Sequence, residues 1–367
     1  MIKKNSFLII FSVVIVFIFS LVGVINYFVD PSGIYNLNII KKENNLNLSS
    51  NFVKEIVKLK EGGFKYNNNF TVREMKTDFA QLKTNNECAI IGSSRIMIIN
   101  SNEISHSFKS ECSSFINLGV PGASLEDIFI YSYLLNNNIN SPKKIVIEIT
   151  PWILNYNRDA RWLEFSEYFV EMNKVINKNS VIYESDKNLS FYLYENLFNI
   201  QYFYESINLL RKNLFNNKYD NKLLPNNYFF DFYTSEGSLI MSQESTDNHE
   251  KKQKKIVPIN NYKIFDQEWY DENAVDNFNN LIVFLKKNFD IFFIFTPYHP
   301  SIFETSDQPL VLAIQKIENL ILNIAKLNKV KIIGSFYPSK SNCKLNEFRS
   351  NDHPYNSCLK KLSFINN

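Results

Sequence analysis

The chain has 367 residues, of which 45% are hydrophobic and 21% charged, and its net charge is +3. That length allows a large core in one or two domains, and the charged fraction is ordinary for a globular protein. The small net charge, carried by scattered rather than striped lysines, excludes a basic nucleic-acid surface.

The first element is apolar. Phe7 to Ile25 reads FLIIFSVVIVFIFSLVGVI without a charge. At 1.5 Å per residue it spans about 28 Å, close to the hydrocarbon thickness of a bilayer. Lys3 and Lys4 precede it, and no basic residue follows until Lys41. This bias predicts a cytoplasmic tail over residues 1–6, a single-pass anchor over 7–28, and the remainder outside the cytoplasm. The competing reading is a cleaved signal peptide, with a shorter apolar region and small residues at the cleavage site. Here the bulky Asn26-Tyr27-Phe28-Val29-Asp30 follows.

Residues 29–86 are polar and rich in Lys and Asn, and read as a stalk carrying one helix over 52–60 (FVKEIVKLK). A regular alternation then begins: a strand at 88–91, a strand at 114–118, a helix at 124–135 and a strand at 144–149. Ser124 and Glu126 suit the start of that helix. Residues 156–261 form a long insertion dense in aromatics. It contains a helical stretch at 191–210 and a charged loop at 243–255 (QESTDNHEKKQKK). Order returns with a helix at 273–287, a strand at 291–295, a helix at 311–327, a short strand at 331–333 and a closing helix at 355–362. Continuous apolar strands separated by helices predict an α/β protein over 87–367, with a parallel sheet of about five strands covered on both faces.

The four cysteines then have a context, because disulfides are allowed outside the cytoplasm. Pairings Cys88–Cys112 and Cys343–Cys358 each close a short local loop. Four free buried cysteines are the alternative. No CxxC or HxxxH spacing suggests a metal, and nothing calls for a cofactor.

Ligands of such sheets bind beyond the C-terminal ends of the strands. After the first strand comes Gly92-Ser93-Ser94-Arg95. Ser94 is expected at the start of the next helix, where free N–H groups favour a developing oxyanion. After the second comes Asn117-Leu118-Gly119-Val120-Pro121-Gly122, a stiff loop with exposed N–H groups. The third ends in Thr150-Pro151-Trp152-Ile153-Leu154-Asn155, and the fourth in Thr296-Pro297-Tyr298-His299-Pro300. The last loop is Arg349-Ser350-Asn351-Asp352-His353-Pro354-Tyr355. A serine needs a base to attack an ester, and two of the four histidines, His299 and His353, fall on this edge.

Taken together, Gly-x-Ser after strand one, Asn-x-Gly-x-x-Gly after strand two and Asp/His before the last helix resemble the SGNH/GDSL hydrolase superfamily. The resemblance covers roughly residues 87–362 outside the insertion. More narrowly, the chain is similar to membrane-anchored bacterial envelope proteins of alginate O-acetylation and teichoic-acid alanylation. Further stretches carry this: Val29-Asp30-Pro31-Ser32-Gly33-Ile34-Tyr35, Thr296 to Pro300, and His353-Pro354-Tyr355-Asn356-Ser357-Cys358.

The resemblance implies a three-layer flavodoxin-like fold, with Ser94 as nucleophile, His353 as base and Asp352 as the nearby acid. It implies an oxyanion hole from the N–H groups of Ser94 and Gly119, with Asn155 as the nearest side-chain donor. Arg95, Trp152, Tyr298 and His299 are the candidate substrate-binding residues, although Arg95 is read first as pairing with an acid to hold the turn, with contact to an anionic glycan as its other role, and the family motif leaves His299 either to line the cleft or to cap its loop. Two positions depart from the family pattern. The third strand is followed by Thr150-Pro151 where the family has Asn, and Ser350 stands where the family has its acid, three residues before the base. In an extended loop, adjacent Asp352 and His353 side chains point apart.

The implied function is acyl transfer to, or removal from, a cell-envelope polysaccharide, in a bacterial inner-membrane protein facing the periplasm or exterior. The implied partners are the glycan, the membrane and an acyl-exporting membrane protein. A catalytically inactive member that binds glycan or scaffolds an assembly is the alternative that Ser350 favours.

Overall fold

The computed structural model describes residues 2–31, 35, 48–59, 62–65, 70–82, 85–155, 159–176, 193–215, 223–224, 231–242, 245–247, 270–304 and 309–365. They fall into two compact units. One comprises residues 1–47, 160–166 and 181–220, and the other 48–159, 167–180 and 221–367.

In the first unit the apolar segment is one helix, α1 (Ile2–Val29). From Leu8 to Val29 it is long and apolar enough to cross a membrane. Its C-terminal end packs against a helical turn at 193–197 and against the helix over 200–215.

The second unit opens with α2 (Leu48–Ile56), β1 (Gly63–Lys65) and α3 (Val72–Gln81). A capping box starts α3: the Thr71 hydroxyl accepts the Glu74 N–H at 3.0 Å, and the Glu74 carboxylate accepts the Thr71 N–H. The strands and helices β2 (Cys88–Gly92), α4 (His106–Glu111), β3 (Phe115–Gly119), α5 (Leu125–Asn137) and β4 (Lys144–Ile149) follow. Within the insertion lie α6 (Ser166–Ile176), α7 (Ile200–Phe215), β5 (Leu223–Leu224), β6 (Phe232–Thr234) and β7 (Leu239–Ile240). The chain ends with α8 (Glu272–Leu285), β8 (Asp290–Phe295), α9 (Pro309–Asn328), β9 (Lys331–Gly334), β10 (Phe348–Ser350), β11 (His353–Pro354) and α10 (Asn356–Leu359).

Five strands form a parallel sheet in the order β3-β2-β4-β8-β9. Their residues are almost all buried, which is why they read as continuous apolar runs rather than alternations. The helices α3, α5 and α8 pack on one face. On the other face Ile90, Val146, Phe292 and Ile294 pack with Ile96, Ile98, Phe108, Leu359 and Leu362. The two disulfides are Cys88–Cys112 and Cys343–Cys358, the pairings that short loop closure favours.

Residues 48–82 are not a stalk. The helix expected at 52–60 lies at 48–56, and α3, absent from the sequence reading, packs on α5 and β3. Arg73 of α3 donates two parallel hydrogen bonds to Asp127 of α5, at 2.8 and 2.9 Å, and both side chains are buried. Its inward face mixes the fully buried Met75, Phe79 and Ala80 with the buried Arg73 and Lys76, and those charges mask the apolar spacing. The insertion is also not one body: 160–166 and 193–215 belong with α1, while 167–176 and 223–242 belong to the larger unit. There β6 and β7 join β1 and β5 in an antiparallel sheet of order β5-β1-β6-β7. The charged loop expected at 243–255 lies outside the described residues except for 245–247. The closing helix is a single turn, 356–359, rather than 355–362.

Candidate active site

The loops at the C-terminal edge of the parallel sheet bring Ser94 and His353 together. Between Cys88 and Asn100, Ser94 is the one residue that is not buried. Its Oγ lies 2.8 Å from His353 Nε2. On the other side of the imidazole, Nδ1 lies 2.8 Å from Asp352 Oδ1 and 2.9 Å from Ser350 Oγ. The Ser350 hydroxyl donates to Asp352 Oδ1 at 2.8 Å.

The Asp352 carboxyl is held below the usual carboxylate range. Burial works to raise it, but the hydrogen bond and charge of His353, the charge of Arg95 and the Ser350 hydroxyl outweigh burial. An ionised carboxylate only accepts, so Nδ1 carries the imidazole proton and the Nε2 lone pair faces the serine hydroxyl.

The sequence reading placed Ser94 at a helix start. Residues 94–98 instead form a chain of turns, with Ile96 N–H on Ser93 O and Ile99 N–H on Ile96 O. The reason is Asn117, whose buried amide donates to the carbonyls of Ile96 at 2.8 Å and Ile99 at 3.0 Å. Those bonds replace the helical ladder. Gly119 is also not the free donor expected: its N–H donates to Asn117 Oδ1 at 2.9 Å. The N–H groups of Ser94 and, on the β3 loop, Gly122 meet no acceptor among the described residues. Gly122 has φ 63°, a conformation that favours glycine.

Beneath the serine lies a network that the sequence reading missed. Glu148, buried near the end of β4, accepts the Ser93 N–H at 2.5 Å and the Thr296 hydroxyl at 2.9 Å. Arg95 is 1% exposed. Its guanidinium donates to the carbonyls of Thr296 and Pro297, lies 4.3 Å from the centre of the Tyr298 ring, and has Nε 3.9 Å from Glu148. Arg95 and Tyr298 therefore brace the turn from inside, which for Arg95 is the turn-holding role that the sequence favours.

His299, 6% exposed, has a structural placement too. Its N–H donates to Asn351 O at 2.9 Å, its Nδ1 meets Ser301, and its ring stands edge-on to Phe348. Burial lowers its pKa. The segment Thr296 to His299 thus clamps both the serine turn, through Arg95 and Glu148, and the histidine loop, through Asn351. A carboxylate inside the apolar run KIVIEI was the sequence signal for Glu148.

Trp152 and Asn155 lie half-buried in the turns after β4, where the Asn155 N–H donates to Trp152 O at 3.1 Å. Arg349 bridges outward: it donates to Ser94 O at 3.4 Å and to Met241 Sδ at 3.0 Å. Met241 lines a cavity of about 510 Å3 with Asn100, Glu103, Tyr355, Asn356 and Ser357. Its walls mix amide, carboxylate and hydroxyl groups with apolar side chains.

No family model matches the chain, and no curated protein matches it.

Proposed function

We propose that the protein is a membrane-anchored serine acyltransferase or esterase of SGNH type acting on a cell-envelope polysaccharide. The observation that carries this reading is the alignment of Ser94 Oγ, His353 and Asp352, each contact 2.8 Å. The sheet order supports it: in chain order the strands run 2-1-3-4-5, an order of doubly wound sheets that bind ligands at this edge.

In the proposed reaction the Ser94 proton moves to His353 Nε2 as Oγ bonds to the acyl carbon. The carbonyl oxygen becomes an oxyanion, for which the Ser94 and Gly122 N–H groups are the assigned donors. Collapse expels the donor's oxygen, which takes the proton from His353, and leaves an acyl-serine. A sugar hydroxyl, or water, then gives its proton to His353 and attacks the acyl carbon, and Ser94 regains its proton. Asp352 keeps the imidazole in the required tautomer and stabilises the imidazolium. The cavity beyond Arg349 suits a polyol, since its amides and Glu103 match sugar hydroxyls and its apolar residues match ring faces.

Anchoring through an uncleaved α1 is part of the proposal, with the N-terminus cytoplasmic and an acyl-exporting membrane protein as donor partner. Asn26 and Asp30 at the end of α1 are fully buried in contacts with residues 196–206. A removable leader does not carry part of the mature fold. The disulfides fit an oxidising compartment.

The engaged Gly119 N–H is the observation that favours the second reading, an inactive glycan-binding member. Fluorophosphonate labelling of the full-length protein in detergent separates the two. Labelling that requires Ser94 and falls sharply in His353→Ala supports the enzyme. Folded protein that does not label supports the binder.

A further inference from the structure

We infer that α7, with the turn before it, is a second membrane-contacting element: an amphipathic helix lying in the outer lipid interface beside α1. The inference rests on the reading of α1 as a membrane span.

The first observation is Asn26, a polar residue within an apolar helix. Its side-chain amide donates to the carbonyls of Asn196 at 3.3 Å, Leu197 at 2.9 Å and Asn199 at 3.2 Å. Asn196 O also accepts the Asn199 N–H and Asn199 O the Phe203 N–H, so the Asn26 amide adds bonds that tie this turn to the end of α1. Such internal bonding is what polar groups at membrane depth require. Asn26 lies three residues, about 4.5 Å, before the end of α1, which is the level of the lipid boundary.

The second observation is the position of α7. Asn199 O and Ser206 Oγ both meet the Asn26 side chain, which holds the start of α7 at the end of α1. Tyr202, on the same face, donates its hydroxyl to Asp30 at 2.7 Å. From the tip, Phe198 reaches down α1: its ring is 6.3 Å from that of Phe19 and packs over Gly23.

The third observation is the face of α7 turned away from α1. Ile200 is 80% and Tyr204 62% exposed; Ile207 and Arg211 continue the same stripe at helical spacing. Tyr194 and Phe198 are also exposed. Large apolar and aromatic side chains held beside a lipid-spanning helix, at its boundary level, meet acyl chains and headgroups rather than water. Tyrosine and a terminal arginine are the residues that settle there. Glu205 lies on the flank between the two faces, within reach of headgroups and water.

Both disulfides are formed and no cysteine is free, so an introduced cysteine is the sole labelling site. Full-length Ile200→Cys and Tyr204→Cys would carry a nitroxide label in phosphatidylcholine–phosphatidylglycerol vesicles. Accessibility to oxygen and to a water-soluble nickel complex would be measured by paramagnetic resonance. Phe17→Cys on α1 and Ile139→Cys, fully exposed in the larger unit, are the lipid and water references. The expected result is an oxygen-to-nickel ratio at 200 and 204 several-fold above that of Ile139→Cys. A water-like ratio at 200 and 204, with a lipid-like Phe17→Cys, overturns this inference alone. Low access to both reagents also overturns it, because a second copy would then cover the face. A water-like Phe17→Cys overturns the anchor reading and this inference with it.

Discussion

Asp352 and His353 are adjacent in sequence, yet the carboxylate of the first reaches Nδ1 of the second at 2.8 Å. Extended neighbours point apart, and the sequence reading doubted this pair for that reason. Here Ser350 of β10 pairs with His353 of β11, and residues 351 and 352 make the tight turn between them. The turn folds the Asp352 side chain back onto the imidazole, with Ser350 between them as a shared hydrogen-bonding partner.

This geometry ranks the two groups at Nδ1. Asp352→Asn removes the charge that fixes the tautomer and is expected to lower the rate of ester cleavage by about 100- to 10,000-fold. Ser350→Ala removes the neutral hydroxyl that meets both Asp352 and His353 but leaves the charge in place, and is expected to cost less than about tenfold. Initial rates on a short-chain aryl ester with both variants decide it; a reversed ranking would move the acid role to Ser350.

Gly92 is required by a neighbour. A Cβ there would sit 2.4 Å from Glu148 Cβ and 2.6 Å from Glu148 Oε2. Gly92→Ala is expected to displace the strand end and the serine turn, destabilising the fold by about 1–3 kcal/mol and removing fluorophosphonate labelling of Ser94. Urea unfolding together with labelling tests this. A variant that folds and labels like the parent would show that Glu148 moves freely.

The Arg73–Asp127 pair lies between α3 and α5, buried on both sides. Asp127→Ala leaves a buried guanidinium with Asp159 at 3.9 Å as its nearest remaining acid, and is expected to cost about 3–5 kcal/mol. The double variant Arg73→Met/Asp127→Leu is expected to recover most of that loss, because no uncompensated charge remains. Chemical denaturation of the three proteins provides the comparison.

Lys76 is fully buried and donates to the carbonyls of Asn117, at 2.7 Å, and Gly237. Burial lowers its pKa from 10.5 to about 7, with Glu236 opposing. Between these values the unfolded chain binds a proton that the folded chain does not, so this group makes stability rise with pH. The rise is at most about 1.4 kcal/mol per pH unit. Glu236 works the other way: burial raises its pKa, so its contribution is lost as pH rises through its folded value. Lys76→Met is expected to flatten the climb in urea midpoint between pH 7 and 9.5. An unchanged climb would place its origin elsewhere.

Cys343–Cys358 closes a loop of 15 residues next to the histidine turn. Its removal in Cys343→Ala/Cys358→Ala is expected to cost about 3 kcal/mol. A thiol assay on the unfolded, unreduced parent is expected to find no free thiol; four would refute both disulfides.

Much of the architecture was legible because burial leaves a one-dimensional trace. Strands buried on both faces read as unbroken apolar runs, so all five were found within one or two residues of their ends. The apolar run of α1 and the short cysteine loops were equally readable. Local chain order also located Ser94 and His353 at strand ends.

What the sequence did not disclose depends on contacts between distant residues. Asn117 turns the expected helix after Ser94 into linked turns by taking its carbonyls. Glu148, Arg95 and Thr296 meet beneath the serine only because β2, β4 and β8 are neighbours in the sheet. Gly119 and Tyr298 took other roles than expected: the Gly119 N–H is claimed by the Asn117 side chain that also holds the serine turn, and the Tyr298 ring lies against Arg95, far away in the chain. Helix α3 and the Asn26 contacts with 196–199 escaped notice because buried polar groups, Arg73 and Lys76 in one and Asn26 in the other, find their partners far away in the chain. Hydrophobic pattern set the layers, and the three-dimensional pairing of buried polar groups decided which residues stand at the site.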